Sequence, residues 1–251
     1  MSSRQRDYSV FDRFNFTRKP VGIKYIAVKP DGIKRITKKI NLCEMVKEAQ
    51  TSEPFYAQRE DFECIEPILL GMEDAEPTYV SGMVGAKGGV YREARANRRI
   101  YQYMPCLPKG SVRYAVFSPI DQMTFDPDIL TITADSTSQA QLLLRAASYS
   151  SGEVWHSRLT PVAACSWMFI YPVLSGEINY AATGLSMGMK ILKVFPEGLF
   201  LFSIPWDKLP GFVENLEDME WNLELSAGTR DETWRMICQA HEELTRELAE
   251  G

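Results

Sequence analysis

The sequence predicts an α+β fold, a single domain over residues 1–251 with a mixed, largely antiparallel sheet and packed helices, and three observations carry the prediction. Val112 to Phe117 and Ile129 to Thr133 are short runs rich in β-branched and aromatic residues. Only Pro119 and Asp126-Pro127-Asp128 turn chemistry lies between them, and strands joined without a crossover helix pair antiparallel. Elsewhere strand-like and helix-like segments alternate, which brings some β-α-β order into the same sheet. A chain of 251 residues, 45% hydrophobic and 24% charged, has the size and composition of one globular core, near the upper bound of roughly 250 to 300 residues.

Taken in order, Val21 to Val28 reads as a strand with Pro20 at its start, closed by Pro30-Asp31-Gly32. Asn41 to Gln50 offers Asn41 as an N-cap, with Leu42, Met45, Val46 and Ala49 on one helical face and Cys43 in the first turn. Arg59 to Gly71 reads as a second helix, capped by Asp61 and ended by Gly71, with Pro67 to be accommodated in its first turns. Gly82 to Gly89 reads as a glycine-rich loop before a helix from Glu93 to Tyr103. A phosphate cradle there lacks the P-loop order, because Gly88 follows Lys87 and no clear strand precedes the loop. Ser136 or Thr137 caps a helix from Ser138 to Ser150, which stops at Gly152. Thr160-Pro161 reads as N-cap and first residue of a strongly apolar, central helix running to Leu174. Ile178 to Ala182 and Leu199 to Ile204 are strands around a helical segment from Leu185 to Val194. An amphipathic helix follows over Pro205 to Leu216, and a final helix, Asp231 to Glu250, has acidic residues early and mixed charge later.

A formal net charge of −5 gives no electrostatic reason to expect nucleic acid as a partner. The most apolar stretch, Val162 to Leu174, is shorter than the roughly 18 residues of a membrane span, so a membrane partner is not expected. No apolar h-region follows the charged N-terminus, which makes a cytoplasmic location the expectation. The five cysteines, Cys43, Cys64, Cys106, Cys165 and Cys238, are odd in number and scattered, so they read as reduced thiols or metal ligands.

Only His156 and His241 are available for imidazole chemistry, and the chain has neither a His-Glu-x-x-His pair nor a Gly-x-Ser-x-Gly elbow. His241 lies in a charged helix and reads as a solvated surface residue; His156, after the Gly152 break, reads as structural, with a polar pocket as the alternative. Thiolates are the chain's soft ligands, of the kind that select zinc, copper(I) or iron-sulfur clusters. No Cys-x-x-Cys exists, so a shared site would draw its ligands from distant elements, and the plain alternative is that each cysteine is a small buried apolar residue. Cys43 and Cys64 sit near expected helix starts, where the helix dipole lowers a thiol pKa. Glu44, Glu60, Asp61 and Glu63 cluster at the same starts, where capping explains them.

Several segments in order carry a resemblance. Pro20-Val21-Gly22-Ile23-Lys24, Leu42-Cys43-Glu44, Glu60-Asp61-Phe62-Glu63-Cys64, Leu70-Gly71-Met72 and Ser81-Gly82 are followed by Leu107-Pro108-Lys109-Gly110, Leu144-Arg145-Ala146-Ala147-Ser148-Tyr149, Ala164-Cys165 and Ile204-Pro205. The ordered set resembles the domain-of-unknown-function 169 family over roughly residues 18–217, a family found mainly in anaerobic and archaeal microbes and without an assigned reaction. The resemblance implies that Cys43, Cys64 and Cys165 occupy recurrent thiol positions, whereas Cys106 and Cys238 are peculiar to this chain. Where relatives carry a Gly-Asp-Arg-like segment after the Cys165 helix, this chain has Thr183 to Lys190, without those two charges.

Two function classes follow. The first is a binding or accessory protein of anaerobic metabolism that holds a small molecule or metal-containing cofactor; the second is a thiolate- or metal-dependent enzyme of redox or cofactor metabolism. In either, Cys43, Cys64 and Cys165 are the candidate metal ligands and are expected to converge, with a metal or iron-sulfur cluster as the candidate cofactor class. Lys24 interrupts an apolar strand and is expected to meet Glu44 or a ligand anion, with backbone donors from Ser81-Gly82 and a second charge from Arg145. The abundance of aromatic and Met residues, with the apolar Leu199 to Phe202 segment, makes a homodimer the expected assembly.

Overall fold

The computed structural model describes residues 7–223 and 228–250, and the chain divides into two compact units, Met1–Glu217 and Asp218–Gly251. In the first unit a 3-10 turn over Ser9–Phe14 leads into strand β1 (Val21–Ile26) and the two-residue β2 (Lys34–Arg35). Helix α1 (Leu42–Ala49) and strand β3 (Phe55–Gln58) come next. Four helices follow, α2 (Glu66–Leu69), α3 (Pro77–Val80), α4 (Met83–Lys87) and α5 (Ala94–Tyr103). Strands β4 (Tyr114–Pro119) and β5 (Ile129–Ala134), helix α6 (Thr137–Ser148), helix α7 (Tyr171–Ser175), strand β6 (Asn179–Ala182), helix α8 (Met187–Ile191), strand β7 (Phe200–Pro205) and helix α9 (Leu209–Asp218) complete the order. The second unit holds one long helix, α10 (Arg230–Glu250).

The seven strands form one sheet in the order β2-β3-β4-β1-β5-β7-β6, antiparallel at every junction except β2 with β3. The α+β class with a mixed, mostly antiparallel sheet is thus the observed one. The expected direct pairing of Val112 to Phe117 with Ile129 to Thr133 is corrected: β4 and β5 do not pair with each other, because β1 lies between them and is antiparallel to both, so one central strand joins the two halves of the sheet.

Side chains alternate across a strand, and here both faces of the sheet's centre are buried. Val21, Ile23, Phe117, Ile129 and Leu201 share one core with Leu42, Met45 and Val46 of α1 and with Met168 and Phe169. The alternate residues Leu130, Ile132, Phe202 and Ile204 are equally buried, and α6 packs against β5. The edges are protected differently. β2 is two residues long and presents Lys34 and Arg35, while β6 has its outer side occupied by Ser157 and Arg158, which hydrogen-bond Tyr180 and Asn179.

Four local expectations are corrected. Arg59 to Gly71 is not one helix: Asp61 accepts from the Gln58 N–H and forks onto Arg35 at 2.7 and 2.9 Å, which closes a 3-10 turn, and the helix starts afresh at Glu66 with Pro67 in its first turn. The glycine-rich segment is not a loop but contains α4, so a phosphate-cradling loop is absent there. The apolar helix begins at Ala164 rather than Pro161, and residues 149–163 form neither helix nor strand. Strand β3 has no counterpart in the sequence reading, because Phe55 to Gln58 is too short to show alternation.

Candidate functional site

Cys43 is placed by a capping box. The Asn41 side chain accepts the Glu44 N–H at 2.9 Å and Glu44 reaches back to the Asn41 N–H, which fixes the first turn of α1 with Cys43 turned inward and 2% exposed. Cys165 arrives from the opposite end of the chain. It stands at the start of a π-helical turn, Ser166–Ile170, in which the Tyr171 N–H reaches the Ser166 carbonyl five residues back. Pro172 supplies the cause: it has no N–H to continue an α ladder and its ring crowds the preceding turn, so the helix widens before it.

The two elements bring the sulfurs of Cys43 and Cys165 to 2.9 Å, across 122 positions of sequence. Glu66, 1% exposed, lies beside them, with Oε1 3.8 Å from the Cys165 sulfur. Its carboxylate also takes the Leu42 N–H at 3.2 Å and the Cys64 N–H at 3.1 Å, so it ties the segments that carry Cys43 and Cys64 to Cys165. Burial raises the Glu66 pKa above the ordinary carboxylate range against those hydrogen bonds. The contact with Cys43, then burial, then Glu66 hold the Cys165 thiol well above its usual value. Cys64 reaches the surface in part, yet crowding around its sulfur, with Glu66 next in weight, pushes it up to about 12. From β1, the Tyr25 hydroxyl donates to the Phe169 carbonyl at 3.1 Å; burial, Asp128 and Cys165 keep it protonated.

An apolar hollow with about 350 Å³ of empty space, open solvent included, lies among Ile65, Ile68, Tyr79, Tyr101, Met104 and Cys106. Cys64 acts electrostatically on the phenols of Tyr79 and Tyr101, so this cavity and the thiol cluster share one neighbourhood. Such a site gathers acidic groups, and at Cys64, Glu66 and Cys165 burial disfavours the charged form. Deprotonating the thiols would crowd like charge in a low-dielectric setting, and a cation is what would relieve it. Among the described residues, no group of three or more His, Cys, Asp or Glu side chains is arranged to hold a metal ion.

The other expected site residues lie elsewhere. Tyr25, not Lys24, shares the face of β1 that meets α1, because side chains alternate along the strand. Lys24 projects to the other face and donates to the Asp126 carbonyl, while Glu44 is engaged with Asn41. Ser81 caps locally, donating to the Thr78 carbonyl at 2.7 Å and accepting the Met83 N–H at 3.2 Å. Gly82 has φ +76° and carries packing: a Cβ there would lie 2.1 Å from the Ala94 carbonyl oxygen. Arg145 is half-buried on α6. Glu66, Tyr25, Tyr79 and Tyr101 escaped sequence reading. The Glu66-Pro67 pair reads as an ordinary first helical turn, and only a fourth carboxylate near Cys64, after Glu60, Asp61 and Glu63, could have drawn attention to it.

A family model described as Uncharacterised ArCR, the domain of unknown function 169, matches residues 12–215. The chain belongs to this family. Comparison with curated proteins and with solved structures found no match. Cys43, Cys64, Glu66 and Cys165 all fall inside the matched region, and α10 lies beyond it. No helix among the described residues is long and apolar enough to cross a membrane.

Proposed function

We propose that this member of the family is a binding or accessory protein of anaerobic metabolism that holds a small molecule or metal-containing cofactor at the Cys43–Cys165 pair. The observation that carries the reading is the 2.9 Å approach of two sulfurs beside the buried Glu66 carboxylate. Two thiolates are a soft, incomplete ligand set: a structural zinc takes four protein ligands, so the remaining positions would come from the bound molecule. The cavity of Ile65, Tyr79, Tyr101 and Met104 offers that molecule an apolar seat with two phenol groups.

The second class, a thiolate-dependent redox enzyme, draws on the same distance, since two sulfurs in contact need little movement to reach the disulfide length of about 2.05 Å. The raised Cys165 thiol weighs against it, because the thiolate is the attacking form.

Purification without oxygen, followed by metal analysis and absorption spectroscopy, tests the proposal. Sulfur-to-metal charge-transfer bands or a copurifying chromophore are expected, and Cys43→Ala or Cys165→Ala should remove them while Cys238→Ala, at an exposed cysteine of α10, leaves them. A colourless, metal-free protein that also fails to take up cobalt(II) or copper(I) would overturn it. A mass lower by about two daltons after brief exposure to a mild thiol oxidant, with no metal uptake, would favour the redox reading.

A further inference from the structure

Between α6 and the helix of Cys165, residues 149–163 run without helix or strand, at a length where structureless loops in compact domains usually serve a function. Ser151 to Arg158 are all exposed, yet the run is tied down at both ends. Trp155 Nε1 donates to Ser148 Oγ at 2.9 Å, and the Arg158 backbone exchanges two hydrogen bonds of 2.9 Å with the Asn179 side chain on β6. Between the ties the loop spans a surface cleft with about 490 Å³ of empty space, the open solvent at its mouth included. Leu144 and Ala147 of α6 with Ile178 and Tyr180 form its apolar floor, and Val154 and Trp155, 80% and 45% exposed, overhang it.

Charged groups gather where this apolar slot opens. Lys208 Nζ is 3.7 Å from Glu153, and His156 Nε2 is 3.6 Å from Glu177. Both distances exceed a hydrogen bond, and such half-exposed contacts contribute at most about 1 kcal/mol, so the Lys208 ammonium and the His156 ring can each change partner at little cost. Glu177 is already engaged: it accepts the Tyr171 hydroxyl, which with His156 and Arg158 keeps its carboxyl below the usual range. The Arg158 guanidinium stands 5.5 Å from the Tyr171 ring centre. Three basic side chains therefore face two carboxylates, one of them occupied.

We propose that this cleft binds a small organic anion with a flat apolar body, a site separate from the thiol centre. The body fits between the Trp155 indole and the Ile178–Tyr180 floor, and the anionic group takes Lys208 and His156 from their loose pairs. Neither an apolar body nor a charge suffices alone.

The full chain should be titrated with 8-anilinonaphthalene-1-sulfonate, an aromatic sulfonate of this description, with fluorescence as the readout. Saturable binding is expected, weakened about tenfold by Trp155→Ala and by Lys208→Gln, a loss of about 1.4 kcal/mol each. Lys34→Gln, at an exposed lysine on β2, should leave it unchanged. 1-Naphthoate should compete at least tenfold better than uncharged 1-naphthalenemethanol, and better than inorganic phosphate, which has no apolar body. All three substitutions are at exposed positions, and circular dichroism confirms that the variants are folded. Absence of saturable binding, equal affinities in all variants, or equal competition by the neutral alcohol would each overturn the proposal. Equal affinities would also place the dye elsewhere, the thiol-side cavity included.

Discussion

Glu66 shows how one buried carboxyl organises a site. Its two oxygens hold the backbone at Leu42 and Cys64, and its charge bears on Cys64 and Cys165. Burial raises its pKa above the ordinary 4.5, so between the unfolded and folded values the native state carries the extra proton. Stability therefore falls as pH rises from about 4.5 through that window, opposite in sign to a salt-bridged carboxylate. Urea unfolding at intervals from pH 4.5 to 7 should show the unmodified chain losing stability relative to Glu66→Gln, whose amide does not titrate. Parallel curves would mean that Glu66 is not the buried proton acceptor described. At this scale the sequence made Cys43 and Cys165 legible, because one follows an N-cap and the other sits in an apolar run. It could not reveal Glu66, whose role depends on partners 24 and 99 positions away. Lys24 was misplaced by a single step of strand alternation.

Among elements, the helices with clear caps were readable and those governed by glycine or proline were not. Asn41 and Ser136 cap their helices as their side chains dictate, accepting from Glu44 and Gln139. Glycine's low helix propensity made Gly82 to Gly89 look like a loop, yet there tertiary packing wins. Gly82 sits at the N-terminus of α4 in the left-handed region and lets α5 approach, and at Gly85 a Cβ would lie 2.4 Å from the Asn97 amide nitrogen. Gly82→Ala combines an unfavourable φ with a clash against the Ala94 carbonyl and the Arg98 N–H, both backbone and neither easily moved. A loss of about 3 kcal/mol is expected in chemical denaturation. Gly89→Ala is the control, since it has a similar φ of +72° with open space around it, and it should cost about 1 kcal/mol. Equal losses would show that backbone conformation alone, and not the α4–α5 contact, sets the cost at Gly82. Pro172 had the converse effect. Read as one more apolar residue of a continuous helix, it instead widens the turn that separates Cys165, at the thiol pair, from Tyr171, at the Glu177 network.

On the scale of the molecule, the sheet, the thiol pair, the apolar cavity and the anion cleft all belong to the first unit, and the family match ends at residue 215 within it. The sequence reading left the chain undivided because no proline-, glycine- or serine-rich linker marks a boundary. Helix α10 carries Trp234, Ile237, Leu244 and Leu248 as exposed apolar residues among many charges, and a helix of this kind contributes no strand and no site residue. A chain ending at Gly228 should therefore fold with the sheet and both sites intact. Its melting temperature should stay within about 4 °C of the full chain, the shift that roughly 1 to 2 kcal/mol produces in a domain of this size. Its cobalt(II) or copper(I) uptake and its dye affinity should each match the full chain within twofold. If truncation instead lowers the melting temperature by about 10 °C or more, or abolishes either binding in a chain that remains folded, the second unit supports the first. The division of labour argued here would then be wrong.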